Sequence, residues 1–269
     1  MRKIKKSGAA LTVAVAAVLC TGLLAGARAE EAPAAVSPDA KAILIGMAEF
    51  MSNTQSFSVD IKSSYDVYQP SGQKIEFAQK RKITLARPDR LRVEIEESDG
   101  DKGVVLYDGK DLTMASPNSN VYAQAPKAGT VDDAIVYFVR DLGMKMPLAV
   151  LLMTTAPSEL DERTQTLDYI EKTDILGEPA HHLAGRTESV DYQVWIAAGD
   201  KPLPLRVVLT YRNEEGQPEF RAQFSDWDLA PEVAAGMFTY EPPKAAQKIS
   251  FLALLPQTAA PLTTAGGEK

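Results

Sequence analysis

The sequence predicts an α+β fold: one large antiparallel sheet of about eleven strands, curled into an incomplete β-barrel around an N-terminal helix and a helical insert. Three observations predict it. Phe57, Val59, Ile61, Ser63, Tyr65 and Val67 alternate with Ser58, Asp60, Lys62, Ser64 and Asp66, the period of a strand with one buried and one wet face. The same alternation recurs along most of the chain, punctuated by short turn signals. It is interrupted once, between residues 130 and 153, by a helical pattern.

Taken in order, Ser37 is a good helix N-cap and Pro38 suits a first helical position. Ala40, Ile43, Met47, Phe50 and Met51 then recur at helical spacing. After the first strand, Gln69-Pro70-Ser71-Gly72 reads as a turn and 74–86 as a second long strand. Leu91, Val93 and Ile95 alternate with Arg90, Arg92, Glu94 and Glu96, a third. Asp108-Gly109 joins short strands at 103–107 and 111–115, a strong hairpin signal, and residues 117–120 turn into a strand at 121–124. Thr130 caps a helix whose Val131, Ile135, Phe138, Val139 and Leu142 share a face. Pro147 starts a second segment, 148–153, apolar on every side. It is too short to span a bilayer, so it must be covered all round by protein, lipid or ligand. Five further strands are expected at 166–174, 180–186, 190–197, 204–212 and 219–228. A sheet of this many strands must curl or close.

The ends of the chain bear on where it works. Arg2, Lys3, Lys5 and Lys6, an apolar run over 9–24 and the small-residue triplet Ala27-Arg28-Ala29 follow the order of a secretory signal peptide. Cys20 follows the bulky Leu19, where lipoprotein processing requires a small residue, so lipidation is not expected. The expected organisation is a signal peptide at 1–29, a linker at 30–36, one domain at 37–256 and a disordered tail at 257–269. The processed chain would begin near Glu30 in the periplasm, without an integral membrane segment. Cys20 is the sole cysteine, so no disulfide or cysteine nucleophile remains after processing. Five of 29 basic residues leave with the signal and no acidic one does. The remaining 24 bases against 36 acids give a net charge of −12, which excludes nucleic acid as a partner.

Candidate chemistry is sparse. His181 and His182 are adjacent on a strand, so they point to opposite faces and cannot share one metal. The acidic run Glu94, Glu96, Glu97, Asp99 and Asp101 lacks the spacing of a calcium loop, and no G-x-S-x-G elbow occurs. Asp132 and Asp133 suit a first helical turn, where acids stabilise the helix dipole, and Trp195 and Trp227 read as packing residues. No enzyme, metal or cofactor is expected. The helical segments, by contrast, set Met47, Phe50, Met51, Phe138, Leu148, Leu151, Leu152 and Met153 against one sheet. That set builds either an ordinary filled core or a cavity with flexible Met-rich walls suited to apolar ligands.

Particular residues add a resemblance. Arg87-Pro88, Asp108-Gly109-Lys110 with Leu112 and Pro117, and Phe238-Thr239-Tyr240-Glu241-Pro242-Pro243 occur in the order found in periplasmic lipoprotein carriers of the LolA type. Over most of 37–253, including Tyr192-Gln193-Val194-Trp195 and Pro202-Leu203-Pro204-Leu205, the chain is still more similar to an uncharacterised family of predicted periplasmic proteins in the same superfamily. The resemblance implies an incomplete barrel whose mouth is closed by helices, and an arginine, here Arg87, that hydrogen-bonds to those helices and controls the lid. It implies a non-catalytic protein that binds or carries a hydrophobic small molecule or an acyl chain of a lipid or lipoprotein. The stretch 180–212 does not match the carriers, which leaves the cargo open. The alternative that the resemblance offers is a regulatory or sensory module that docks an envelope protein on the same fold.

Overall fold

A computed structural model describes residues 39–175 and 177–251. The expected signal peptide, the linker, Ser37, Pro38 and the tail lie outside the described residues. The chain divides into two units, Met1–Val36 and Ser37–Lys269, and the described residues all belong to the second.

Helix α1, Ala40–Asn53, begins later than the expected Ser37-Pro38 start. Its cap is Asp39, whose Oδ1 accepts from the Lys41 and Ala42 amides at 3.0 and 3.1 Å. Strands β1 (Ser56–Tyr68), β2 (Lys74–Ala86), β3 (Arg90–Glu97), β4 (Lys102–Tyr107), β5 (Asp111–Ser116) and β6 (Val121–Pro126) follow as an antiparallel meander. The turn between β1 and β2 closes with the Gly72 amide on the Gln69 carbonyl at 2.8 Å, and Gly72 adopts φ 85°, which glycine reaches without steric cost. After the helical insert, β7 (Thr166–Ile175), β8 (Glu178–Arg186), β9 (Val190–Ala197), β10 (Pro204–Tyr211) and β11 (Glu219–Asp228) form a second meander.

The sheet joins the two meanders at their inner ends: β11 pairs antiparallel with β1. The strand order is β12-β6-β5-β4-β3-β2-β1-β11-β10-β9-β8-β7, so β6 and β7 lie towards opposite edges and the sheet does not close. A chain running from β6 to β7 must therefore cross a whole face of the sheet, and the insert is what crosses it. It contains α2 (Val131–Val136), a π-helical turn (Tyr137–Asp141), a 3₁₀ turn (Ala149–Leu152) and α3 (Ala156–Arg163). The inner face explains why these helices stay there. Phe57, Leu85, Leu91, Tyr107 and Leu112 stand opposite one another across five strands, and all are almost completely buried. They share one core with Met47 and Met51 of α1 and with Ile135 and Phe138 of the insert. Each such side chain contributes about 1.5–3 kcal/mol on burial.

Four features correct the sequence reading. Helix α2 passes into a π turn, in which the Leu142 amide bonds to the Tyr137 carbonyl at 3.0 Å. The wider winding keeps Phe138 buried but rotates Val139 outward, to 45% exposure, off the face it was expected to share. Segment 148–153 contains only a 3₁₀ turn. Helix α3 was not expected. Finally, the outer face is not wet throughout, because the chain after β11 crosses it. Phe238, in a 3₁₀ turn at Ala235–Phe238, is buried, and the Arg92 guanidinium donates to the Met237 carbonyl at 3.0 Å. The outward-facing Thr84, Leu106 and Thr113 are correspondingly buried. Tyr240 then packs on Tyr122 at 5.4 Å, and a two-residue strand β12, Gln247–Lys248, pairs parallel with β6.

Candidate functional site

Between the helices and the inner face of β9 and β10 lies a cleft of about 610 Å³. This is within the range of small-molecule sites. Val194 and Tyr192 project into it from β9, Val207 and Leu209 from β10; Val194 faces Val207 and Tyr192 faces Leu209 across the ladder. Leu44 and Met47 of α1, Leu148, Val150 and Leu151 of the 3₁₀ segment, and Leu160 of α3 form the opposite wall. Polar and charged groups sit at the rim: Glu159 and Arg163, which pair with each other, and Glu162 and Glu188. The site is an apolar trough with a charged edge.

Of the eight expected lining residues, Met47, Leu148 and Leu151 line this cleft. Met51, Phe138 and Leu152 are buried in the main core, and Phe50 and Met153 pack half-buried against it. All eight therefore belong to or pack against one core, and Met47, Leu148 and Leu151 also face the cleft. The rest of the apolar wall includes strand residues, where sequence periodicity marks a residue as inward but cannot say whether a helix covers it.

The 3₁₀ segment is clamped between helices. It touches α1, α2 and α3, and Lys41 of α1 forms an ion pair with Asp161 of α3 at 2.5 Å. Arg87 underlies the arrangement. Its guanidinium, 6% exposed, donates to the Thr54 carbonyl at 3.2 Å and to the Met51 carbonyl at 3.4 Å, both at the C-terminus of α1. Those carbonyls are among the ones a helix end leaves unsatisfied. The same guanidinium lies 3.9 Å from Asp132 of α2. Asp132 accepts in turn from the Thr154 amide at 3.0 Å and from the Thr154 hydroxyl, just beyond the 3₁₀ turn. Burial pulls the Arg87 pKa down and the Asp132 charge opposes that pull. One buried cation thus joins α1, α2 and the segment that closes the cleft. Of the two acids expected to serve the helix dipole, Asp133 does so within a capping box with Thr130. Asp132, also in that first turn, makes the long-range tie as well, which nothing local in the sequence marks.

Tyr192 closes the cleft on its β8 side. Its hydroxyl shares a hydrogen bond of 2.8 Å with Thr164, at the C-terminus of α3, and burial raises its phenol pKa.

The other sequence candidates are accounted for by packing. His181 faces inward, its Nδ1 3.3 Å from the Tyr169 hydroxyl. His182 faces outward and stacks on Trp195 at 4.1 Å, with Nε2 3.1 Å from Gln193. Trp227 packs on Phe57 at 5.4 Å and donates to the Pro204 carbonyl at 3.2 Å. Glu94 and Glu96 pair with Arg92 and Lys80, and Glu97 accepts from Gln79. Among the described residues no group of three or more histidine, cysteine or acidic residues could hold a metal ion, and no helix is long and apolar enough to cross a membrane.

Solved structures similar to the chain include the Mycobacterium tuberculosis lipoprotein LppX, at 12% identity and a TM-score of 0.43, over 71% of this chain and 98% of that one. A LolA superfamily protein from Nitrosomonas europaea is similar at 13% identity and a TM-score of 0.36, over 77% and 99%. A chain of the Pseudomonas aeruginosa MucA/MucB complex is similar at 17% identity and a TM-score of 0.40, over 76% of this chain and 61% of that one. No curated protein sequence matches. The family model described as "Predicted periplasmic protein (DUF2092)" matches residues 40–252, from the first turn of α1 to beyond β12. The chain belongs to this family of predicted periplasmic proteins.

Proposed function

We propose that the chain is a non-catalytic periplasmic protein that binds a hydrophobic ligand, a lipid or a lipoprotein acyl chain, in the cleft between its helices and β9–β10. The observation that carries the reading is the cleft itself, about 610 Å³ with walls of Leu, Val and Met and charge confined to the rim. An acyl chain buried there gains about 0.8 kcal/mol per CH₂. The 3₁₀ segment serves as the lid, and Arg87, through Asp132, holds it closed. The resemblance of Arg87-Pro88 and of residues 238–243 to lipoprotein carriers supports the same reading.

The test is uptake of a fluorescent fatty acid by wild type and by Leu151→Asp. Leu151 lines the cleft, so a carboxylate there meets the space a ligand would fill, and uptake is expected to be lost from a folded protein. A wild type that takes up no apolar probe contradicts the proposal.

A second reading, docking of an envelope protein, draws on a different part of the inner face. Tyr65 and Phe77 stack at 5.9 Å and, with Ile75, are exposed at 36, 40 and 39%, beyond the reach of the helices. If Tyr65→Ser and Phe77→Ser remove a binding activity that Leu151→Asp leaves intact, docking is the better account.

A further inference from the structure

A missing side chain gives Tyr192 its position. Gly185 of β8 stands opposite Tyr192 of β9, and a Cβ there would lie 2.2 Å from the ring Cζ and 2.4 Å from the hydroxyl oxygen. No side chain fits between them, so the tyrosine ring lies directly over the backbone of β8. Its far end is held by the 2.8 Å hydrogen bond to Thr164.

Beyond that ring the inner face continues. Gly185 pairs with Leu167 of β7, and Leu167 lines a second hollow of about 310 Å³, together with Lys41, Ile45 and Asp161. This hollow and the cleft share Leu44, Leu160, Thr164 and Gln165. Of these two hollows Tyr192 lines only the cleft, and its bonding partner Thr164 borders both.

We propose that the Tyr192 ring, seated over Gly185 and tied to Thr164, is the partition that ends the cleft on its β8 side and sets the longest apolar chain the cleft accepts. The inference rests on the apolar-ligand reading above. Removing the ring would extend the trough over the β8 backbone at Gly185 towards Leu167 of β7. The Tyr192 hydroxyl is protonated at neutral pH, as any phenol is, and so can hold the tie to Thr164.

Two substitutions should move the limit in opposite directions. Tyr192→Val removes the ring and keeps a residue suited to a strand, so longer chains should fit. Gly185→Ala places a methyl group where the ring now lies and drives the ring into the cleft, so only shorter chains should fit. The measurement is competition of a homologous series of saturated fatty acids against a bound fluorescent fatty acid. In wild type each added methylene should tighten binding about fourfold until the cleft is full, after which the affinity stops rising. That break should fall at a longer chain in Tyr192→Val and at a shorter one in Gly185→Ala. If both variants fold and keep the wild-type break, the partition is overturned and the binding reading stands. If Tyr192→Val does not fold, Gly185→Ala decides alone: an unchanged break overturns the partition. A wild type that binds no member of the series overturns both.

Discussion

Arg87 is a charge placed where water barely reaches it, and such a group is tolerable only while its partners are in place. Its partners are the last carbonyls of α1 and the carboxylate of Asp132, which also receives Thr154. Arg87→Leu and Asp132→Ala should each cost about 1–3 kcal/mol, the penalty for leaving buried groups unpaired. Because they belong to one network, the double variant should lose less than the sum of the two, by at least about 0.5 kcal/mol. A double-mutant cycle by urea denaturation measures this, and strict additivity would show that the pair is not coupled. Asp133 offers a pH test. The Thr130 amide and then the Thr130 hydroxyl hold its carboxyl below the ordinary carboxylate value of 3.8. A carboxyl depressed in the folded state stabilises fully above its unfolded pKa and loses that contribution as pH falls through its folded pKa. Asp133→Asn should therefore be less stable than wild type at neutral pH by about 1 kcal/mol, the worth of a capping interaction. The gap should close as the pH falls below 3.8. A gap that persists at low pH would mean that the carboxylate charge is not what matters.

At the scale of elements, the 3₁₀ segment carries neighbouring leucines with different tasks. Both Leu151 and Leu152 are buried in the core cluster, but only Leu151 also lines the cleft. Leu152→Asp buries an unpaired carboxylate and should unfold the chain, at a cost of several kcal/mol. Leu151→Asp should leave it folded. Circular dichroism and thermal unfolding separate the two, and equal damage from both would show that the segment is plain core. The sequence could not divide this pair, because both are apolar and the wall facing them comes from strands far away in the chain. It read the strands well for the opposite reason. An inward-outward alternation is local, so 74–86 coincides with β2 and 190–197 with β9. Helix α3 was missed because, between Ala156 and Arg163, Leu160 is the one large apolar residue and no periodic stripe exists to be seen. Strand β12 was missed because its two residues are strand only by virtue of pairing with β6. The cleft wall at Tyr192 was out of reach for a similar reason, since it depends on an absent side chain on the neighbouring strand.

For the molecule as a whole, the decisive feature is the β1–β11 seam. It places the first and last long strands at the centre of the sheet and puts the strands flanking the insert, β6 and β7, towards its two edges. The insert is thereby held across the concave face, and helices lie over β9 and β10 at the distance that leaves a cleft. Since each meander contributes strands to a single core, the unit Ser37–Lys269 should unfold in one transition, unmoved by a chelator. Two separated transitions in calorimetry would mean that the seam does not couple the halves. The central claim is that the cleft holds an apolar ligand, and its most direct test is mass spectrometry of lipids extracted from protein purified out of the bacterial envelope. The expected result is a lipid or acyl-bearing molecule present in near-equal amount with wild type and depleted from folded Leu151→Asp protein. Wild-type protein that yields no lipid above the level found with an unrelated envelope protein would contradict it.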